Sequence, residues 1–522
     1  MLLSLNPLQA LFLAAFLGSV FFLLYTQLAL NKTPFPLPPG PPGKFLIGNF
    51  GQVSIDRPEQ DYIRLGKEYD SDVIYTNVLG QHVICLNSIE AAKELLEKRG
   101  LNYSDRPRFR LFELMGWGLT LTFLRFGPQF KIHRSLFQQT FTQSNVKTFR
   151  PIQVHEARKA VRFLLQDPDD WLQITLLMAT SIIFRIAFGQ EIVNKDSPYV
   201  KMSLDANDAT TSGGVAGSSI VDLFPPARFL PNWLNPSPSL RHARASRNAI
   251  QTVQNVPWEA NMKDIEAGTA APSFMKTHWE KFKRNEKAGI PQDITPADLK
   301  GATGAVFIAG GNTTWATIQC CLMFLTKYPH VQQKLLAELD ALLLLEPSTP
   351  RLPTYGDRGK LPYLDNFIQE AMRTLPLNPL IIPHRSIEDD VYENMFIPAG
   401  TTVFANVTAM NNDTRTYRDP QLFDPDRYAP PRAEPYPVGN FGFGRRKCPG
   451  NHLALASVYV FLATFLAAFE LEQVRGEDGE LRIPEPSVSV GLGGDPHPFE
   501  CKLKVRSPSM ARLLIKEKEG RF

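Results

Sequence analysis

The chain is patterned unlike itself at its N-terminus. Residues 8–30 are almost continuously apolar, broken only by Gln9, Ser19, Thr26 and Gln27, with no charge. About 20 such residues suffice for a helix to cross a bilayer. A cleaved secretory peptide has a shorter apolar core preceded by positive charge; here the run is longer, and no Lys or Arg precedes it. Lys32 and Lys44 follow, which favours a cytosolic side for the rest of the chain. Residues 34–43 carry a proline density that holds the backbone near polyproline II as a stiff spacer. The expected organisation is an anchor over 1–31, a hinge over 32–44 and one large body over 45–522.

Within the body the periodicity changes. Partial alternation over 73–86 around Gly80 predicts a β-hairpin. A short helix is expected over 88–98, closed by Gly100. Helical stretches at 145–166 and 173–188 follow. Thr295-Pro296-Ala297-Asp298 is a helix start, with Thr at the N-cap, Pro at N1 and Asp at N3. That helix runs to Lys327 and is apolar enough to lie through the core. Further helices are expected over 330–345 and 361–375, then short strands and loops until a helix after Cys448. Residues 220–234 mix Phe, Trp, Leu and three prolines. They read either as an irregular buried loop or as a lip that dips into a membrane surface.

Composition narrows the class. With 43% hydrophobic residues and no long internal linker, one large, mainly α domain with small β-sheets is the simplest architecture. The net charge of +4 comes without a basic block, which argues against nucleic acid as a partner. The five cysteines, Cys85, Cys320, Cys321, Cys448 and Cys501, are odd in number and lack C-x-x-C spacing. Neither a disulfide framework nor a structural zinc site follows, and a reducing compartment fits.

One cysteine stands in unusual company. Phe441-Gly442-Phe443-Gly444-Arg445-Arg446-Lys447-Cys448-Pro449-Gly450 surrounds it with glycines that let backbone approach a flat group. Three cations favour a thiolate, and a helix N-terminus follows. The segment resembles the haem-binding signature of the cytochrome P-450 superfamily, F-x-x-G-x-R-x-C-x-G, at every fixed position. The resemblance implies a P-450 fold behind a transmembrane helix, with haem b (iron protoporphyrin IX) and Cys448 as its thiolate axial ligand. Phe441 and Gly442 would lie against the cofactor.

Other motifs are similar to the family's. Glu370-Ala-Met-Arg373 resembles E-x-x-R, whose members share a helix face at i and i+3. Phe423-Asp-Pro-Asp-Arg427-Tyr428 resembles the P-E-R-F element. Glu370, Arg373 and Arg427 are implied to form a buried ionic cluster that locks the Cys448 loop. Ala309-Gly-Gly-Asn312-Thr313-Thr314 resembles the oxygen-binding groove, read either as close helix packing or as a widened turn over the iron. Thr313 is the implied guide for protons; Asn312 stands where the family usually has an acid and cannot relay protons as a carboxylate does. Phe130-Lys-Ile-His133-Arg134 resembles W-x-x-x-R, with Phe for Trp. Arg134, His384 and Arg446 are the implied partners of the haem propionates.

The resemblance, closest to fungal microsomal members of natural-product pathways, implies a monooxygenase. It would oxidise a lipophilic small molecule, a terpenoid or an aromatic or polyketide compound, with O2 and electrons from an NADPH-cytochrome reductase. Cytochrome b5 is a possible second donor. Arg445, Lys447, His133 and Lys131 are the expected docking cations. The substrate is expected against residues 102–125, Phe307, Ala309, Leu380, Ile381, Ile382, the 220–234 lip and 489–494. The implied location is the endoplasmic reticulum membrane, single-pass, catalytic domain in the cytosol. Two rivals stay open: a haem-thiolate isomerase, lyase or dehydratase needing no reductase, and a non-enzymatic haem sensor or carrier. NADPH dependence separates the first; turnover separates the second.

Overall fold

A computed structural model describes residues 18, 34–214, 217, 219–233, 237–343, 351–489 and 491–516. The expected anchor therefore lies outside the described residues. The chain groups into two compact units. One holds 34–107, 383–410 and 443–445; the other holds 108–382, 411–442 and the chain from 446 onward.

The first unit is built on the hairpin that alternation predicted. Val73–Val78 pairs antiparallel with Gln81–Leu86, in the register Val73 to Leu86. Gly80, at φ 83°, makes the reversal. Thr402–Ala405 adds in parallel to the second strand and His384–Arg385 closes the sheet. The proline segment bonds through its carbonyls to this sheet, where Tyr75 N donates to Pro39 O at 2.9 Å, and to the separate ribbon Asp390–Tyr392/Met395–Ile397, where Phe396 N donates to Pro36 O at 2.7 Å. Proline has no N–H to give, so its free acceptors are what the neighbouring strands use. The helix expected over 88–98 forms as Ile89–Ala92, capped by Ser88, and continues as a π-helical turn, Lys93–Lys98.

The second unit is helical. Pro296–Lys327 starts with the expected cap: Thr295 and Asp298 exchange hydrogen bonds with each other's backbone N–H. It packs against Trp171–Phe188, Pro198–Thr211, Pro238–Glu266 and Asn451–Ala468. Gly310 permits one of these approaches, since a Cβ there would lie 2.6 Å from Ile183 Cδ1. Trp171–Phe188 and Asn451–Ala468 have the length and apolarity to cross a membrane but are mostly buried, as core helices are. Pro238–Glu266 keeps its course through Pro257, which hides it from a reading based on breakers. Over residues 220–233 only Val221, Asp222 and Ala227 are buried. Phe224, Phe229 and Trp233 are 55%, 76% and 84% exposed, and only short turns hold it.

Candidate active site

Cys448 is fixed by its own loop. Its amide donates to Phe441 O at 2.7 Å, and Gly442, at φ 73°, turns on an amide bond to Gly439 O at 2.7 Å. Gly444 has no substitute: φ is 52° and a Cβ would meet Leu96 O at 2.1 Å. The Cys448 side chain is open to solvent yet ringed by protein. Burial pushes its thiol up, against the amide of Gly450, the charge of Arg134 and the amide of Asn451. The positive charge that favours the thiolate thus comes from Arg134. Arg445 and Lys447 point into solvent, and Arg446 is turned onto an aromatic ring.

Arg134 donates from Nη1 to Lys447 O at 2.7 Å, and its Nε has no hydrogen-bond partner among the described residues. Arg446 lies 3.7 Å from the centroid of the Phe130 ring and donates to Leu121 O at 3.4 Å. Phe130 therefore acts through its π face, which stacks on a guanidinium. His384 belongs to the other unit, where its Nδ1–H donates to Tyr103 O at 2.7 Å and sets the ring. His133 is withdrawn from the docking cations. It is fully buried and bonded to Asp298 at 2.9 Å, whereas Lys131 is exposed. Burial would raise Asp298, but Thr295, His133 and Gln129 hold it down to about 2.

The middle of the long helix is where an otherwise buried rod opens. Ala309 is exposed, and Ile308, Gly310 and Thr313 are half-buried. The helix stays α throughout, so the widened turn does not form. Thr313 Oγ1 donates to Ala309 O at 2.7 Å and Thr314 Oγ1 to Gly310 O at 2.8 Å, bonds that occupy the hydroxyls without breaking the ladder. Asn312 is buried; its Nδ2 donates to Asp495 Oδ1 at 2.7 Å. Asp495 Oδ2 accepts from Asn207 Nδ2 at 3.1 Å. The turn that carries Asp495 is pinned by Gly493 N to Asn378 Oδ1 at 3.0 Å and Gly494 N to Leu377 O at 2.9 Å.

Glu370, Arg373 and Arg427 are fully buried together. Arg373 forks onto both oxygens of Glu370 at 2.8 Å, and Arg427 Nε reaches Oε1 at 3.0 Å. Tyr428 donates its hydroxyl to Oε2 at 2.8 Å and Asp424 its amide to Oε1 at 2.9 Å. Arg427 also bonds Glu434 at 2.7 Å, and Arg432 joins Glu434 to Asp424. Three guanidiniums face three carboxylates, so no charge is left over. The i, i+3 spacing pointed to Glu370 and Arg373; nothing local pointed to Glu434 or Arg432.

Among the expected substrate contacts, Phe307 is fully buried in a ring cluster with Phe184 and Phe188, centroids 5.1 and 6.0 Å away. Leu380 is buried, and Ile381 sits at φ 44°, a strained setting for a β-branched residue. Asp495 was missed altogether: the absent acid at Asn312 signals a need for one, but not where it comes from.

A cysteine presented by amides and a half-buried arginine suits a thiolate-ligated haem. The cytochrome P450 family model matches residues 38–502, running through both units. A cytochrome P450 monooxygenase of Armillaria gallica is 32% identical over 492 residues, 93% of this chain and 95% of that protein. Tryptamine 4-monooxygenase of Psilocybe cyanescens is 33% identical over 487 residues, covering 91% and 94%. Cytochrome P450 monooxygenase ple1 of Rhodocybe pseudopiperita is 32% identical over 492 residues, covering 93% and 92%. The chain belongs to the cytochrome P450 family. It is a P450 monooxygenase whose cofactor is haem with a cysteine thiolate ligand.

Proposed function

We propose that Cys448 is the axial ligand and that the protein hydroxylates a lipophilic small molecule, a terpenoid or an aromatic or polyketide compound. The observation that carries this is the accessible Cys448 sulfur, set between the Gly450 and Asn451 amides and Arg134. Haem bound there supplies reductive activation of O2, placing one oxygen atom in a C–H bond and the other in water. Phe441 and Gly442 shape the loop against it. Arg134 and Arg446 hold propionates, to which the family resemblance adds His384; cation-to-carboxylate hydrogen bonds are strong. Glu370, Arg373 and Arg427 lock the loop as a charge-balanced block.

Thr313, its hydrogen committed to Ala309 O, presents lone pairs to the groove and accepts a proton donor there. Ala309, Leu380 and Ile381 line the substrate side and keep it apolar. The exposed rings of Phe224, Phe229 and Trp233 rest on a membrane surface, and the segment 1–31 anchors the chain in the membrane. Exposed Lys131 and Lys447 attract an acidic NADPH-cytochrome reductase of the endoplasmic reticulum. The test is the absorption spectrum of reduced, carbon-monoxide-treated protein. A strongly red-shifted Soret band, lost in Cys448→Ala, is expected; its absence from the wild type overturns the reading. Feeding lipophilic precursors to cells that express the chain with a reductase, followed by mass spectrometry, then finds the substrate.

A further inference from the structure

From Gly301 to Thr326 the long helix contains no Asp, Glu, Lys, Arg or His. Oxygen reduction consumes protons, and this stretch has no acid of its own to deliver them. A carboxyl is nevertheless bonded to its middle, brought by a turn 183 residues further along the chain. We propose that Asp495 is the proton-supplying acid of the groove, in place of the carboxyl missing at Asn312. This rests on the monooxygenase reading above.

Three observations support the assignment. Both Asp495 oxygens are held by neutral amides, from Asn312 and Asn207, rather than by a cation. Burial comes first among the influences that push its carboxyl up; the two amides oppose it and Asp208 adds to it. The buried Cys320 thiol feels the charge of Asp495 as well. Such a carboxyl gains and loses a proton much more readily near neutrality than one locked to a guanidinium. The third observation is Asn312 Oδ1, a buried acceptor without a partner among the described residues. With Asp495 ionised, Asn312 donates through Nδ2, as seen. With Asp495 protonated, a turned amide accepts its O–H through Oδ1. The amide thus serves both states of the acid without itself carrying a proton.

The groove residue next in line is Thr313. A Cβ placed on Gly493, in the same turn as Asp495, would lie 4.0 Å from its Cγ2. In each turnover the Asp495 O–H bond breaks toward a solvent water that hydrogen-bonds Thr313 Oγ1. The carboxylate, half-buried rather than sealed, then takes a proton back from bulk water. The electrons come from NADPH through the reductase, and Asp495 is regenerated unchanged.

The experiment uses full-length, haem-loaded protein reconstituted with an NADPH-cytochrome reductase, without added substrate. Asp495→Asn keeps an amide for Asn312 to bond and removes only the titratable proton. Its NADPH oxidation should fall by about tenfold or more, with a changed solvent deuterium isotope effect. Infrared titration should show a protonated carboxyl C=O stretch in the wild type, with a midpoint above the ordinary carboxylate range, that disappears in the variant. Asn312→Asp placed in the Asp495→Asn background should restore most of the rate, because it returns a carboxyl to the groove. An unchanged rate in Asp495→Asn overturns the assignment. So does a lost rate that Asn312→Asp fails to restore, or an infrared midpoint in the ordinary range, either of which makes Asp495 a clamp. The wild-type carbon-monoxide spectrum keeps the two failures apart: a red-shifted band alongside any of these results leaves the monooxygenase reading standing and removes only Asp495.

Discussion

Two carboxylates in the helical unit, Glu370 fully buried and Asp495 half-buried, have opposite surroundings. Glu370 faces two guanidiniums within 3.0 Å, and its neighbours balance charge for charge. Asp495 faces two amides at 2.7 and 3.1 Å and no cation among its bonded partners. The first arrangement fixes an ionised state and turns it into rigidity. The second leaves ionisation open and suits chemistry. Burial alone does not separate structural from reactive acids; the charge of the partner does.

The comparison is broken most severely at Arg373. Arg373→Ala leaves Glu370 and Glu434 against one guanidinium fewer, at a cost of about 3–5 kcal/mol. The expected outcome is protein with little haem, measured as the haem-to-protein absorbance ratio; normal loading would remove the cluster from its role. Next in size is the groove. Thr313→Ala deletes the hydroxyl proposed to receive the Asp495 proton through water and should raise peroxide released per NADPH by about tenfold, equivalent to roughly 1.4 kcal/mol. That is measured with the substrate found by feeding, and unchanged coupling would strip Thr313 of its place in proton delivery. A smaller effect is expected at Phe130, which engages Arg446 only through its ring. Phe130→Leu should cost about 0.5–2 kcal/mol of thermal stability, while Phe130→Tyr should retain most of it.

The smallest effects differ in sign and so sharpen the contrast. Burial raises Glu434, but bonds from Arg427 and Arg432 more than offset this and hold it below the ordinary range. Its stabilisation is present above the unfolded carboxylate value and is lost as pH falls through the lower folded one. Asp495 is raised, so it destabilises the fold once pH climbs above the unfolded value, and fully so above its folded one. Glu434→Gln should therefore lower the unfolding temperature near neutrality, and Asp495→Asn should raise it. Both differences should shrink in acid, as seen in melting curves across pH. Same-sign shifts would show that the two acids are not opposites.

Much of the site was legible locally. The Cys448 loop, the Glu370–Arg373 step and the capped start of the long helix each depend on residues a few positions apart, where one turn's geometry decides who meets whom. The hairpin was legible for the same reason. Other readings failed where a distant partner decided the outcome. His133 looked like a surface cation until Asp298 claimed it. The Gly310-Gly311 pair read either as close helix packing or as a widened turn, and only Ile183 from another helix decides for packing.

The sequence by itself determined the Cys448 loop that resembles a thiolate-ligand segment, the capped long helix and the absence of an acid between its residues Gly301 and Thr326. Only the tertiary structure decided which charge reaches the sulfur, which ring receives Arg446 and which carboxyl bonds Asn312. Periodicity records the face a residue presents, while electrostatics and hydrogen bonding depend on distance in space. Asn312 and Asp495, 183 positions apart, are neighbours only after the chain has folded.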